Sequence, residues 1–214
     1  VGGCVRDMLL GKTPADFDVT TNALPPAVKA LFKSTADTGL AHGTVTVICV
    51  GVPVEVTTFR TESGYSDRRH PESVTFVSDI KSDLCRRDFT VNAMAYNEKT
   101  GLIDCFGGKD DLKNRVLRAV GDPEKRFAED ALRILRLFRF SAVLGFTAEK
   151  ATLEAALSAA DALSLVSCER IAAELIKAAN GICVSALSPL LKTGALGFLG
   201  LGDGDIAPIS ALPA

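Results

Sequence analysis

The first eighteen residues combine a glycine pair with two closely spaced aspartates. Gly2 and Gly3 have no Cβ, so the backbone can approach a phosphate closely at the start of a predicted helix. Arg6 on that helix can meet a phosphate oxygen. Asp16 and Asp18 are predicted on one β-strand, where residues two apart share a face. The segment therefore predicts a phosphate-binding turn beside two carboxylates that can bind Mg²⁺.

This order of motifs favours nucleotidyl transfer, because magnesium ions can clamp the attacking and leaving oxygens of an in-line displacement. Either motif alone is also typical of an ordinary turn, in which aspartates bond to nearby backbone. Two other phosphate-binding classes are excluded. Gly11-Lys12-Thr13 resembles the end of a P-loop, but Arg6 occupies the earlier glycine position, and no G-x-G-x-x-G follows a predicted strand.

The composition is that of an ordinary folded protein. With 214 residues, 47% apolar and 23% charged, the chain can form one large domain or two small ones. The net charge of −2 means that a nucleic-acid partner would need local basic patches. The six scattered cysteines include no C-x-x-C pair, so we expect free thiols and a cytoplasmic protein. No membrane-spanning stretch is expected.

Changes in periodicity along the chain predict two domains. The runs Val45–Val50 and Val54–Phe59 predict an antiparallel hairpin, whereas apolar residues fall at helical spacing from about Pro123. We predict an α+β fold, with a head domain over 1–113 and a helical neck, leading into a body domain, over 114–214. We expect the start of the head, with any targeting peptide, and the rest of the body to lie outside this sequence.

The remaining elements are predicted from shorter patterns. Residues 61–83 are expected to form a flexible loop containing one short strand at Val74–Val77. A continuous element is expected from Arg86 to Tyr96. The further helical segments are predicted at 27–32, 147–160 and 167–179 and along one long helix from about 123 to 143.

Charged residues in the hairpin and after it are candidates for the same chemistry. Glu55 is an isolated charge in an apolar strand, and it either faces solvent or completes the carboxylate set as a third acid or a general base. Arg86 and Arg87 offer cations for a triphosphate, and Asp88 offers an acceptor for a ribose hydroxyl. An ion pair at a strand edge is the simpler interpretation of these three residues.

A second group of charges lies on the first predicted neck helix. Glu129, Asp130 and Arg133 fall one turn apart, and Arg136 continues the face. An exposed ion-pair ladder is one interpretation. The alternative is base recognition, in which Asp130 accepts from the exocyclic amino group of cytosine or adenine and Arg133 donates to the ring nitrogen. Guanine and uracil present the opposite pattern and would be rejected.

Four motifs in order resemble the class II tRNA nucleotidyltransferases (CCA-adding enzymes) and the bacterial poly(A) polymerases. Gly2–Asp7 with Asp16–Asp18 is similar to their first motif and Arg86–Ala93 to their ribose-selecting motif. Glu129–Arg133 resembles their base-reading motif, and Cys168–Leu175 resembles a late Glu-Arg motif that braces the neck. Four ordered matches are far more specific than any one of them.

The resemblance implies a polymerase-β-like head, Mg²⁺ on Asp16 and Asp18, and CTP, ATP and the tRNA 3′ end as partners. The segment Arg60–Pro71 resembles the flexible loop of CCA-adding enzymes, which favours addition of CCA or of terminal A. A poly(A) polymerase and an inactive nucleotide- or RNA-binding fragment are the alternatives. The nucleotide-binding residues implied are Gly2, Gly3, Arg6, Arg86, Arg87, Asp88, Asn92, Asp130, Arg133 and Arg136.

Overall fold

The computed structural model describes residues 1–65 and 71–202, and these form two compact units. The first unit comprises Val1–Gly64 and Pro71–Leu112, and the second begins at Lys113. Their division lies next to the domain boundary predicted between 113 and 114. Assignment of the units as head and neck domains stays a prediction.

A four-stranded mixed sheet forms the centre of the first unit, in the order β1-β4-β3-β2. β1 runs parallel to β4, and the other neighbours are antiparallel. One face of the sheet is apolar, with Val45, Val47 and Val56 buried against Val28 of α2. The strands and the helix are β1 (Asp18–Thr21), α2 (Pro25–Leu31), β2 (Thr35–Gly39), β3 (Thr44–Cys49) and β4 (Val52–Thr58).

Smaller elements complete the first unit. Two antiparallel pairs, β5 with β6 and β7 with β8, lie outside the main sheet. Asp79 caps α3 by accepting from the backbone N–H groups of Lys81 and Ser82. The elements are α1 (Gly3–Leu9), β5 (Arg60–Ser63), β6 (Ser73–Phe76), α3 (Ile80–Cys85), β7 (Met94–Asn97), β8 (Gly101–Asp104) and α4 (Gly108–Asn114).

The second unit is built around α6, which buries an apolar stripe including Ile134, Leu135 and Phe138 and packs against α8. Gly145 ends α6 in the left-handed conformation, with φ of 68°. The unit comprises β9 (Val116–Leu117), α5 (Pro123–Glu129), α6 (Leu132–Leu144), β10 (Thr147–Ala148), α7 (Lys150–Ser158), α8 (Cys168–Ala179) and α9 (Ser188–Lys192). The α+β fold class, with a mixed sheet and flanking helices, is confirmed, and the short parallel pair β9–β10 is the exception to an all-helical second unit.

The predicted strand around the two aspartates begins later than expected. β1 starts at Asp18, and Asp16 lies in a bend before it. Asp18 pairs with Glu55 in the parallel register, so Asp16 would fall opposite Pro53 if the ladder continued. Proline has no N–H to donate to a ladder. The prediction that both aspartates share a strand face is therefore wrong.

Two other predicted elements also differ. The segment from Arg86 to Tyr96 is not continuous, because α3 ends at Cys85, a 3₁₀ turn covers Thr90–Asn92 and β7 begins at Met94. The expected loop over 61–83 contains a strand pair, β5–β6, of which only the second strand was predicted. Its basic centre, residues 66–70, lies outside the described residues.

Candidate active site

Gly2 forms a tight turn at the start of α1. Its φ is 77°, and its N–H donates to the Met94 carbonyl at 2.9 Å. A Cβ at this position would lie 2.7 Å from Nη1 of Arg87. Glycine is therefore required both for its backbone conformation and for the close approach of an arginine.

We expect Gly2→Ala to lower both stability and nucleotide affinity. The positive φ costs an alanine about 1–3 kcal/mol, and the new methyl group would displace the Arg87 guanidinium. Thermal unfolding and titration with CTP measure the two effects. Gly11→Ala is the matched control, because Gly11 has φ of 70° but a methyl group added there would meet nothing within 4 Å. Equal loss of CTP affinity in both variants would contradict a role for the Gly2–Arg87 contact.

Arg87 is a largely buried cation beside this turn. Burial lowers the pKa of its guanidinium and Arg86 lowers it further, while the carboxylates of Asp83, Asp88 and Asp18 act in the opposite direction. Nη2 lies 3.7 Å from Asp83 Oδ2. Its buried Nε has no hydrogen-bond partner within the described part of the chain. A buried donor without a partner is costly, and an anionic ligand would satisfy it.

Three predicted nucleotide-binding residues form one hydrogen-bonded chain. Arg6 Nη1 donates to Asn92 Oδ1 at 2.7 Å, and Asn92 Nδ2 donates to Asp88 Oδ1 at 3.1 Å. The same Asp88 oxygen accepts from the Phe89 N–H at 2.8 Å. All three side chains are buried, so the network is fixed in one arrangement. The structure thus brings Arg6, Asp88 and Asn92 together, and a methyl group at Gly3 would lie 3.6 Å from Arg6 Nη2.

Asp83 is a central residue that the sequence analysis missed. It is fully buried and accepts from Thr20 Oγ1 at 3.3 Å and from the Arg60 backbone N–H at 3.3 Å. Arg86 binds the same carboxylate at 3.0 Å and Glu62 at 3.1 Å. Arg86 therefore forms ion pairs with two buried carboxylates of the protein. The i, i+3 and i, i+4 spacing of Asp83 to the two arginines was the available signal.

The candidate metal ligands are exposed carboxylates. The parallel register of β1 and β4 aligns Asp18 with Glu55, so both project from the same, non-apolar face of adjacent strands about 4.8 Å apart. Asp16, Asp18 and Glu55 make no side-chain hydrogen bond or ion pair with the residues the structure describes. Over 1–65 and 71–202, no group of three or more acidic, His or Cys side chains converges as a metal site. Exposed carboxylates, completed by phosphate oxygens, are the kind of ligand that Mg²⁺ prefers.

The second unit holds the candidate base-reading residues. Asp130 is not on a helix face, because α5 ends at Glu129 and Asp130 adopts an extended conformation, with φ of −143°. Its Oδ1 accepts from the Leu132 N–H at 3.1 Å and thereby caps α6, and its Oδ2 lies 3.3 Å from Arg170 Nη2. The predicted continuous helix over Glu129, Asp130 and Arg133 is therefore wrong. The hydrogen bond from the Leu132 N–H to the Asp130 side chain favours a break between α5 and α6 at this residue.

Arg133 is oriented from the end of α5. Its Nη1 donates to Glu129 Oε2 at 2.6 Å and to the Arg126 carbonyl at 3.1 Å. Arg136 lies with its guanidinium carbon 5.3 Å from the Phe140 ring centroid. Asp130 and Arg133 each have separate protein partners that fix their side chains.

The late Glu-Arg motif links α8 to other parts of the second unit. Arg170 binds Asp130, as described above, and Glu174 forms a buried ion pair with Arg139 of α6. Lys177 lies 3.7 Å from the other Glu174 oxygen. The two pairs that reach other elements, Arg170–Asp130 and Glu174–Arg139, are consistent with the predicted bracing, which stays a prediction.

We expect Glu174→Gln to destabilise the protein by about 3 kcal/mol, because it leaves the Arg139 cation poorly compensated where both side chains are largely buried. Thermal or urea unfolding measures the change. Glu154→Gln is the control, since Glu154 pairs with Lys150 at 3.9 Å with both side chains exposed. That variant should change stability by less than about 0.5 kcal/mol. Equal effects of the two substitutions would contradict the bracing role of Glu174.

Two general expectations can be compared with the described residues. All six cysteines are free, as predicted, and five of them are exposed. Within the part of the chain that the structure covers, no helix has the length and apolar character needed to cross a membrane.

The mixed sheet with its flanking helices has the fold of a nucleotidyltransferase head domain. Residues 1–118 match the family described as the poly A polymerase head domain, and the chain belongs to that family. Nucleotidyltransferases of this family generally use a divalent metal.

Curated relatives that are about 50% identical to this chain over the aligned residues are CCA-adding enzymes. The chain is 51% identical over 181 residues to the CCA-adding enzyme of Lactobacillus helveticus, covering 85% of this chain and 45% of the relative. It is 47% identical over 200 residues to that of Geobacillus stearothermophilus, covering 93% and 50%. The chain therefore spans about half the length of the curated relatives it matches.

Solved structures give the same result. The crystal structure of the Bacillus stearothermophilus CCA-adding enzyme in complex with CTP matches with a TM-score of 0.83 and 45% identity, over 91% of this chain and 47% of that one. The Thermotoga maritima CCA-adding enzyme complexed with tRNA-CCA matches with a TM-score of 0.74 and 30% identity, over 93% and 47%. The predicted resemblance is confirmed.

Proposed function

We propose that this chain is the catalytic part of a template-independent tRNA nucleotidyltransferase that adds CCA, or part of it, to the tRNA 3′ end from CTP and ATP. The observation that carries the proposal is the Gly2 turn packed against the Arg87 guanidinium, in the same unit as the exposed Asp18 and Glu55 carboxylates. Relatives named CCA-adding enzymes, with solved structures in complex with CTP and tRNA-CCA, support it.

In the proposed reaction the tRNA 3′-hydroxyl attacks the α-phosphate of the bound nucleotide and pyrophosphate leaves in line. The Gly2–Gly3 backbone and the buried Arg87 bind the triphosphate, since Arg87 has a donor to offer. Asp88, held by Asn92, accepts from a ribose hydroxyl. Glu55 accepts the proton of the attacking hydroxyl or strengthens the local negative charge.

We assign Mg²⁺ binding to Asp16 and Asp18. Both carboxylates are exposed and make no ion pair with the described residues, so no internal ion pair competes with a bound cation. When bound, the ion supplies positive charge beside the reacting phosphate.

Selection of CTP and ATP is assigned to Asp130 and Arg133 of the second unit. The carboxylate accepts from the exocyclic amino group that cytosine and adenine share, and the guanidinium donates to the adjacent ring nitrogen. Their separate anchors, Arg170 for Asp130 and Glu129 for Arg133, support this assignment because they hold each group in one orientation. Arg136 is proposed to assist nucleotide binding on the same helix.

We also propose that the first unit is the head domain and that the second is the neck with the start of a body domain. A cytoplasmic location is proposed from the cysteines, because five exposed free thiols suit a reducing compartment.

A poly(A) polymerase is the second candidate, because the matching family is described as a poly A polymerase head domain. The two are separated by incubating the protein and Mg²⁺ with tRNA that lacks its terminal CCA, supplying each nucleotide singly and together. A CCA-adding enzyme stops after three nucleotides on a sequencing gel, whereas a poly(A) polymerase extends generic RNA with long A tracts. Nucleotide binding without pyrophosphate release would indicate an inactive binding fragment and refute the proposal.

A further inference from the structure

Arg126 lies one turn before Glu129 on α5 and takes part in the anchor of Arg133. Its Nη2 donates to Glu129 Oε1 at 2.5 Å, while Arg133 Nη1 takes the other oxygen, Oε2, at 2.6 Å. One carboxylate is thus shared between two guanidinium groups. The side chains of Arg126, Glu129 and Arg133 are 14%, 21% and 11% exposed, so the contacts are shielded from water.

The Arg126 backbone supplies a second restraint. Its carbonyl accepts from Arg133 Nη1 at 3.1 Å, at the end of α5 where helix carbonyls lack an intrahelical partner. Two acceptors of this Arg133 nitrogen, the Arg126 carbonyl and Glu129 Oε2, therefore depend on Arg126, one directly and one through Glu129. Substitution by a helix-forming residue such as Met keeps the Arg126 carbonyl and removes only the side chain, so it isolates the contribution of the carboxylate contact.

Occupation of Oε1 restricts how Arg133 can bind Glu129. An arginine beside an open carboxylate favours a two-bond fork, which uses two of its N–H groups and fixes the guanidinium plane along the carboxylate. While Arg126 occupies Oε1, Arg133 binds through Oε2 alone. Removal of the Arg126 guanidinium opens the fork and turns Arg133 toward Glu129.

We propose that Arg126 is a positioning residue for base selection, which holds one oxygen of Glu129 so that Arg133 keeps the orientation needed to read a nucleotide base. The inference rests on the proposed function. Arg126 itself touches no base in this scheme, and it acts through Glu129. It differs from a purely structural residue because its loss changes which nucleotide is used rather than only how much folded protein remains.

The test measures kcat/KM for CTP and for UTP with wild type, Arg126→Met and Arg126→Lys, on tRNA that lacks its terminal CCA. In Arg126→Met we expect the CTP to UTP ratio to fall at least about tenfold, because small misplacements of a reading group are costly. Arg126→Lys, which restores a cation to Oε1, should recover most of the ratio. Arg118→Met is the control, since Arg118 pairs with Glu149 at 3.7 Å in the same unit.

Each outcome decides the inference. An unchanged ratio in Arg126→Met, with wild type selective, overturns it and leaves the proposed function intact. A fall in Arg126→Lys or in Arg118→Met as large as in Arg126→Met also overturns it, because the effect would not depend on the Oε1 contact. Absence of any incorporation by wild type refutes the proposed function and the inference together. If thermal unfolding shows Arg126→Met to be unfolded, Arg126→Gln is measured by the same criteria.

Discussion

Asp18→Ala is expected to reduce nucleotide incorporation by at least about 10³-fold, which corresponds to roughly 4 kcal/mol of lost transition-state stabilisation. Asp16→Ala should have an effect of the same order. Both carboxylates are exposed and without ion pairs among the described residues, so their removal breaks no internal contact that supports the fold. Pyrophosphate release with CTP and tRNA lacking CCA measures the effect.

The controls separate chemistry from folding and binding. Asp110→Ala removes an exposed carboxylate from α4 and should leave incorporation within about twofold of wild type, as is usual for surface substitutions. Thermal unfolding of Asp18→Ala should match that of wild type. Asp18→Asn, which keeps the size and loses the charge, should be as inactive as Asp18→Ala. Normal turnover in Asp18→Ala or Asp18→Asn would refute the metal role.

Substitution of Asp130 or Arg133 is expected to change nucleotide choice. We expect the preference for CTP over UTP to fall about 10–100-fold in Asp130→Ala, which is the discrimination that one well-placed pair of base contacts supplies. In Arg133→Ala the preference for CTP over UTP should fall by a similar factor, because the ring-nitrogen acceptor of the base loses its donor. Single-nucleotide incorporation with each of the four triphosphates measures the preference.

Asp130→Asn gives a sharper form of this test. The amide oxygen can still accept from the Leu132 N–H and cap α6, whereas the ion pair with Arg170 is lost. The amide nitrogen can donate to a carbonyl oxygen of uracil or guanine, so relative use of UTP and GTP should rise. Glu154→Gln, on the surface of the same unit, should leave the preference unchanged. Wild-type preference in Asp130→Asn would contradict base reading by this residue.

The sequence predicted those parts of the molecule that depend on local pattern. The β3–β4 hairpin followed from two β-rich runs joined by a turn, and α6 and α8 followed from apolar residues at helical spacing. A turn at the glycine pair before the first helix was also expected, and the structure adds that Gly2 is the residue with the positive φ.

Features that depend on partners distant in sequence were not predicted. Asp83 accepts hydrogen bonds from Thr20 of β1 and from the Arg60 backbone of β5. No local sequence pattern reveals these two contacts. That Asp16 would fall opposite Pro53 follows only from the register of β1 on β4. The break at Asp130 reflects competition between helix continuation and capping, which apolar spacing alone cannot resolve. Which face Glu55 occupies required the register of β1 on β4.

The alignment of β1 on β4 has a consequence for protein engineering. Strand side chains alternate, so sliding β1 by a single residue would point Asp18 into the apolar layer and Val19 to the opposite side. Val19 and Val56 border the same apolar groove, and that slip would remove Val19 from it. Hydrophobic residues with no chemistry of their own thus decide where an acid points, and redesign of that layer should be screened for activity as well as for melting temperature.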